Sequence, residues 1–365
     1  MTDRARKRAR SGLLGLGTIV AGAVAGAALE ETVYRRFANA PDPEADEPIG
    51  SVPGRTVWVE SDDGTKLYTR VYGSRDARTG IVFAHGVVEN HVIWHYLVRN
   101  LRADGRHKLV AYDARGHGNS GPARGPNGTT PFDGDTLGRD LAAVVEQTTS
   151  GPVVLVGHSL GGMTALTQLV LDRRERERVA GGVIINSTFT AELGGWGGKG
   201  NALQRHAERI GDVVRRVAGD DAKRIDRLRM GASDLTILAA RTLFGRSASP
   251  RQVAVAFHMY ETTPSQTLAA AVDLATFDVY DDLEKIDVPI LVITGSRDWL
   301  TPTFLAREMA RIIPTSELVV LDGCGHMAPF ERHEHVTAQI RKFAERVLPD
   351  TPDVFPRGDY SARPG

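Results

Sequence analysis

The chain has 365 residues, enough for one sizeable core with an inserted module, and its 41% hydrophobic and 25% charged content is that of an ordinary globular protein. Its formal net charge is zero, which leaves no electrostatic footprint for nucleic acid or for a strongly charged partner. Cys324 is the only cysteine, so an intrachain disulfide is excluded. No repeat with a period of about 20–50 residues recurs, which argues against solenoids and propellers.

At the N-terminus Arg4, Arg6, Lys7, Arg8 and Arg10 precede an uncharged, mostly apolar run over residues 11–29, closed by Glu30 and Glu31. A basic head before an apolar run is the layout of a secretory signal or an uncleaved anchor. The run is longer than a usual signal core and slightly short for a spanning helix. Ala25-Gly26-Ala27 suits a signal peptidase, whereas Gly22 and Gly26 form a GxxxG suited to helix contact in lipid. If the run spans, the basic head stays in the cytoplasm and the remainder lies outside. Residues 1–40 are therefore expected to anchor the protein in a membrane or to direct its export. The remaining reading is a Gly/Ala-rich helix on the surface of a cytoplasmic protein. Residues 41–55, rich in Pro and acids, read as a linker, and residues 349–365, rich in Pro, Gly and Asp, as a tail that does not fold.

From residue 56 onward short β-rich runs alternate with helical patterns, as a parallel sheet with crossover helices requires. Runs 56–60 and 66–72 flank Ser61-Asp62-Asp63-Gly64 and predict a hairpin. Near-continuous apolar runs follow at 80–84, 108–112, 153–156, 182–185, 290–294 and 318–321, the pattern of strands buried on both faces. Helical patterns cover 91–102, 137–147, 161–171, 302–312 and 333–347. Residues 188–281 break this rhythm, because a crossover needs far fewer residues. Helical patterns at 202–217, 222–230, 235–243, 250–260 and 265–274 mark the stretch as an insertion. An insertion after the sixth strand would sit at the carboxyl ends of the strands, where open α/β sheets bind ligands. It is expected to cap the site, with a helical subdomain away from the site as the alternative. The core is then 56–187 together with 282–348.

Gly157-His158-Ser159-Leu160-Gly161 follows the strand run 153–156 and opens a helix. In G-x-S-x-G the serine occupies a strained strand-to-helix turn, and small residues two places to either side avoid a clash. The helix N-terminus directs its dipole and the Leu160 N–H at a forming oxyanion. Ser159 is the candidate nucleophile, and His158 reads as a packing residue. Serine needs a base held by an acid, and in this arrangement the order is Ser, Asp/Glu, His. Run 290–294 ends in Gly295-Ser296-Arg297-Asp298, and run 318–321 ends in Gly323-Cys324-Gly325-His326. Asp298 is the candidate acid and His326 the candidate base; the simpler role for Asp298 is to cap the turn before Thr301-Pro302. His85-Gly86 follows run 80–84, so the Val87 N–H is the candidate second oxyanion donor, with His85 a structural residue.

These motifs, with Asp113-Ala114-Arg115-Gly116-His117-Gly118-Asn119-Ser120, resemble the α/β-hydrolase superfamily of esterases, lipases and related enzymes over most of residues 56–348. The resemblance implies an α/β-hydrolase fold, a mostly parallel doubly wound sheet with an inserted helical cap, and a supporting role for Asp113 to Ser120. No metal cluster or phosphate-binding glycine loop is visible in the sequence, so no cofactor and no metal are expected. A serine at position 159 is similar to esterases, lipases, thioesterases and carbon–carbon bond hydrolases; dehalogenases and epoxide hydrolases carry aspartate there. Cofactor-free haloperoxidases share the triad but usually have an aromatic residue where this chain has Val87.

The expected function is cleavage of carboxylic esters, as small-molecule substrates, with a lipid-like acyl group. Leu235, Ile237, Leu238, Leu243, Phe244, Val253, Val255, Phe257 and Met259 provide apolar surface for an acyl tunnel, or simply attach the insertion to the sheet. Acyl transfer on the same triad and a non-catalytic binding protein are the alternatives. All three triad positions being filled, in the right order, argues against the latter.

Overall fold

The computed structural model describes residues 41–74, 76–171, 176–191, 241–246 and 248–349. Eight strands form one sheet: β1 (Arg55–Glu60), β2 (Lys66–Tyr72), β3 (Gly80–Ala84), β4 (Lys108–Tyr112), β5 (Val153–His158), β6 (Val179–Ile185), β7 (Ile290–Gly295) and β8 (Ser316–Leu321), in the order β1-β2-β4-β3-β5-β6-β7-β8. β1 and β2 form the predicted antiparallel hairpin, and β2 is antiparallel to β4. All other pairs are parallel. The chain moves outward from β3 to β4 and then returns to the other side of β3 for β5. The loops leaving β3 and β5 therefore diverge over a crevice, the place where an open α/β sheet binds ligands.

The helices are α1 (His95–Arg102), α2 (Gly134–Thr148), α3 (Leu160–Val170), α4 (Pro250–Thr262), α5 (Ser265–Ala270), α6 (Thr303–Ile312), α7 (Ala328–Glu331) and α8 (His333–Val347). The pattern expected to be one helix over 91–102 is split: His91–Trp94 is a 3-10 turn capped by Asn90, and the α-helix starts at His95. The alternation of the strands sorts the core into two layers. Ile81, Phe83, Val154, Val156, Leu291 and Ile293 pack with α1 and α8 on one face. Val82, Ala84, Val153, Leu155, Ile290 and Val292 pack with α2, α3 and α6 on the other. β8 departs from its predicted burial: it is an edge strand of the sheet, and Val320 on it is exposed.

Between β6 and β7 the described residues add no strand to the sheet. Residues 189–191 run antiparallel to 277–279, with Ala191 N–H donating to Phe277 O (2.7 Å) and Val279 N–H to Phe189 O (2.9 Å), so the two ends of the segment meet. The predicted helices at 250–260 and 265–274 are found as α4 and as α5 followed by a 3-10 turn, Ala271–Thr276. Those expected at 202–217 and 222–230, and most of 235–243, lie outside the described residues. Phe244, Val253 and Met259 are buried in the core layer with Trp94, Tyr96 and Phe330, so these three attach the segment to the body.

Residues 41–50, expected to be a linker, lie against the body. Asp42 Oδ2 accepts Arg251 N–H (2.7 Å), Glu44 Oε2 accepts the Ser249 hydroxyl (2.8 Å), and Glu47 Oε1 accepts His95 Nε2–H (2.7 Å). Among the described residues no helix is long and apolar enough to cross a membrane; residues 11–29 and 350–365 lie outside them.

Candidate active site

The loops after β3, β5, β7 and β8 meet at one edge of the sheet. Ser159, directly after β5, has φ 52° and ψ −119°, the left-handed strain expected of a serine on a sharp strand-to-helix turn. The flanking glycines are sterically required. A Cβ at Gly161 would lie 1.9 Å from Ala84 O, and one at Gly157 would lie 2.2 Å from Gly161 O. The turn is pinned from β6: Ser159 N–H donates to Ile185 O (3.1 Å), and the Ser187 hydroxyl donates to Ser159 O (2.6 Å).

Leu160 opens α3, so its N–H has no intrahelical acceptor. The loop after β3 abuts the serine closely: a Cβ on Gly86 would lie 3.0 Å from Ser159 Cβ. Val87 packs against the apolar cluster that contains Leu160, Phe132 and Leu137.

Asp298 and His326 are brought together by the ends of β7 and β8. His326 Nδ1–H donates to Asp298 Oδ2 at 2.8 Å, and both side chains are buried. The carboxylate is saturated with donors. Oδ1 accepts Leu300 and Thr301 N–H (both 2.9 Å), and Oδ2 also accepts the Thr301 hydroxyl (2.6 Å) and Asn186 Nδ2–H (2.5 Å). Burial would raise the Asp298 pKa, but His326, Thr301 and Asn186 more than offset it and hold the carboxyl below its usual range. Asp298 therefore caps its turn through Oδ1 and bonds the histidine through Oδ2.

His85 is structural, as expected. Its Nε2 accepts Ala114 N–H (2.9 Å), so Nδ1 carries the proton and donates to Gly86 O (2.7 Å). His117 acts in the same way, accepting Val88 N–H at Nε2 (3.2 Å) and donating from Nδ1 to Arg115 O (3.0 Å). The motif from Asp113 to Ser120 thus holds the loop after β3 from behind. Asp113 accepts Asn119 N–H (2.9 Å), and Arg115 is paired with Asp140 (2.7 Å) and Asp63 (2.9 Å).

Sequence reasoning did not reach Asn186, Thr301, Glu89 or Glu331. Asn186 sits just after β6 with φ 45°, a conformation that Asn tolerates better than most residues, and it bonds Asp298 and Gly325 O (3.1 Å). An Asn closing an apolar strand was the available signal. Glu331, buried on α7, accepts Gly245 N–H (2.6 Å) and Gly325 N–H (2.9 Å). Residues 241–246 thereby lie against both loops: Leu243 O accepts His326 N–H (2.6 Å) after β8, and Thr242 O accepts Trp299 Nε1–H (2.8 Å) after β7. Cys324 is buried, and burial pushes its thiol pKa up, which leaves it protonated and inert. No cluster of His, Cys, Asp and Glu suited to a metal ion occurs among the described residues.

The strand order and the strained serine turn define an α/β-hydrolase fold. The model of the alpha/beta hydrolase family matches residues 81–340, and the chain belongs to that family. Among its relatives, the AB hydrolase superfamily protein YisY of Bacillus subtilis is 27% identical over 270 residues, covering 72% of this chain and 91% of that protein. A pimeloyl-[acyl-carrier protein] methyl ester esterase of Yersinia enterocolitica is 27% identical over 278 residues, covering 75% and 95%. In fold, an esterase from Exiguobacterium antarcticum matches with a TM-score of 0.65 at 22% identity, covering 80% of this chain and 100% of that one.

Proposed function

We propose that the chain is a serine hydrolase that cleaves carboxylic esters with an apolar acyl group through an acyl-enzyme on Ser159. The observation that carries this reading is the buried 2.8 Å bond between Asp298 and His326, on loops that converge on the strained Ser159 turn. Ser159 Oγ attacks the ester carbonyl as His326 Nε2 takes its proton, and the Val87 and Leu160 N–H groups hold the oxyanion. Collapse breaks the C–O bond, and His326 returns the proton to the departing alcohol. Water, deprotonated by His326, then attacks the acyl carbon and releases the acid and Ser159.

The apolar preference rests on what surrounds the donors. Val87, Met163, Ala271 and Leu274 are half-buried apolar groups packed against the cluster that contains Leu160. The closed ends of the 191–277 segment and its contacts with Trp299 and His326 support its reading as a cap over the site. In the same reading residues 11–29 hold the enzyme at a membrane or carry it through one, and fractionation of cells expressing the full chain tests this.

The deciding experiment treats the full-length protein with an alkyl fluorophosphonate, maps the adduct, and assays aryl esters of increasing acyl length. An adduct on Ser159, its loss together with turnover in Ser159→Ala, and a rate maximum at medium or long chains are expected. Turnover persisting in Ser159→Ala would overturn the nucleophile assignment, and activity confined to acetyl esters would overturn the apolar acyl preference.

A further inference from the structure

A second buried acid–histidine pair lies beside the candidate nucleophile, and the sequence presents it only as a packing residue and an unremarked loop acid. His158, just before Ser159, is fully buried, and Glu89, in the loop after β3, is 5% exposed. Their contacts extend to three of the loops that make the site. Glu89 Oε2 accepts Gly86 N–H at 2.6 Å and faces His158 Nδ1 at 3.0 Å. His158 Nε2 faces the backbone oxygen of His326 at 2.8 Å.

A carbonyl oxygen only accepts, so His158 Nε2 carries a proton. Nδ1 faces a carboxyl oxygen, and one proton lies between the two. With that proton on the ring, both ring nitrogens donate and His158 is an imidazolium paired with an ionised Glu89. Burial alone would lower the His158 pKa, but the carboxylate of Glu89 and the His326 carbonyl reverse this and raise it. For Glu89, burial would raise the pKa, and His158 reverses that too.

We propose that Glu89 and His158 are positioning residues for the reaction: a buried ion pair that registers the oxyanion-donor loop and the base-bearing loop against the serine turn. The partners are far apart in the chain, 69 residues for Glu89–His158 and 168 for His158–His326, so local chain geometry does not account for the bonds. The clearance is tight as well. The space beside Gly86 is bounded by Glu89 Oε2 and Ser159 Cβ, at 2.9 and 3.0 Å from where a Cβ would stand. A shift of Glu89 therefore moves the backbone that presents the Val87 N–H, and a shift of His158 moves the backbone of His326. Neither residue needs to touch substrate. The inference rests on the proposed role of Ser159 and His326, but its test can fail separately.

In the full-length protein Glu89→Ala is expected to lower kcat about 10²-fold, the effect of misplacing reacting groups by an ångström or so. KM should stay within about threefold, since ground-state binding is untouched. Glu89→Gln, which keeps an oxygen for the Gly86 N–H, should recover part of the loss. A folded Glu89→Ala enzyme with kcat within about threefold of the parent, or with its whole loss in KM, would overturn the proposal. Should that variant not fold, ring-nitrogen NMR of the wild-type protein decides, with the signals assigned by their loss in His158→Gln. Two N–H protons on His158 at about pH 7.5, well above the usual imidazole pKa, are expected. A single N–H would overturn the ion pair. That spectrum is indifferent to whether Ser159 is the nucleophile, whereas the adduct experiment is indifferent to the charge on His158.

Discussion

Replacing Asp298 with Asn tests the orientation of the base with almost no change of shape. Oδ1 of Asp298 receives two backbone N–H groups, from Leu300 and Thr301, at 2.9 Å each. An asparagine therefore keeps its oxygen there and turns its NH2 toward the position of Oδ2. Three groups donate into that position: His326 Nδ1 (2.8 Å), the Thr301 hydroxyl (2.6 Å) and Asn186 Nδ2 (2.5 Å). An amide NH2 donates and does not accept, so each neighbour must turn round or be left facing a proton. The Thr301 hydroxyl can rotate. Asn186 can flip to present Oδ1, which has no partner in the native arrangement, at the cost of its bond to Gly325 O. His326 can comply only by giving up the Nδ1 proton, which moves to Nε2. Nε2 then has no lone pair for the Ser159 proton. The expected loss in kcat is about 10⁴, or about 5.5 kcal/mol of barrier. The assay is kcat on an aryl ester together with a thermal melt and the ring-nitrogen spectrum of His326. A folded variant within about tenfold of the parent rate would refute the argument and point to a different orienting group.

Two further outcomes follow from the same geometry. Gly161→Ala should prevent folding, because the new Cβ would stand 1.9 Å from Ala84 O and 2.8 Å from His85 O, both backbone atoms of the central strand and its loop; a soluble, active variant would refute it. Stability should also fall in acid through the neutral histidines. Burial drives the pKa of His85 and His117 down, His117 to about 3, so the unfolded chain takes up their protons first. Their contribution is complete above about pH 6.5 and is lost as pH falls toward the folded values, at up to about 1.4 kcal/mol per pH unit for each ring. Urea midpoints across this range measure the slope, which should be shallower in His117→Gln. A flat profile between about pH 6.5 and 4 would contradict the assigned tautomers.

What the sequence discloses and what it conceals divide along physical lines. The strands β3, β5 and β7 were legible because burial on both faces demands unbroken apolar runs, and the serine turn because backbone crowding at Gly157 and Gly161 admits no Cβ. β8 misled because its apolar run continues to an edge, and composition does not say which strand lies outermost. Asp298 and His326 were nominated through their place at strand ends, that is, through topology. The groups that hold them were not. Asn186 and Thr301 approach Asp298, and Glu89 approaches His158, as single polar residues in loops, with no period or spacing to mark them.

That asymmetry bears on how the site works. The proposed nucleophile, acid and base each stand on a loop with its own short motif. Their mutual registration, to within hydrogen-bond tolerance, falls to buried polar contacts between residues distant in the chain: Asn186 with Asp298, Glu331 with Gly245 and Gly325, and Glu89 with Gly86 and His158. Buried polar groups are costly unless fully satisfied, so a network of this kind tolerates one arrangement of the loops and penalises displacement steeply. In the proposed mechanism the motifs supply the reacting groups, and the dispersed polar residues between them set the distances at which those groups meet.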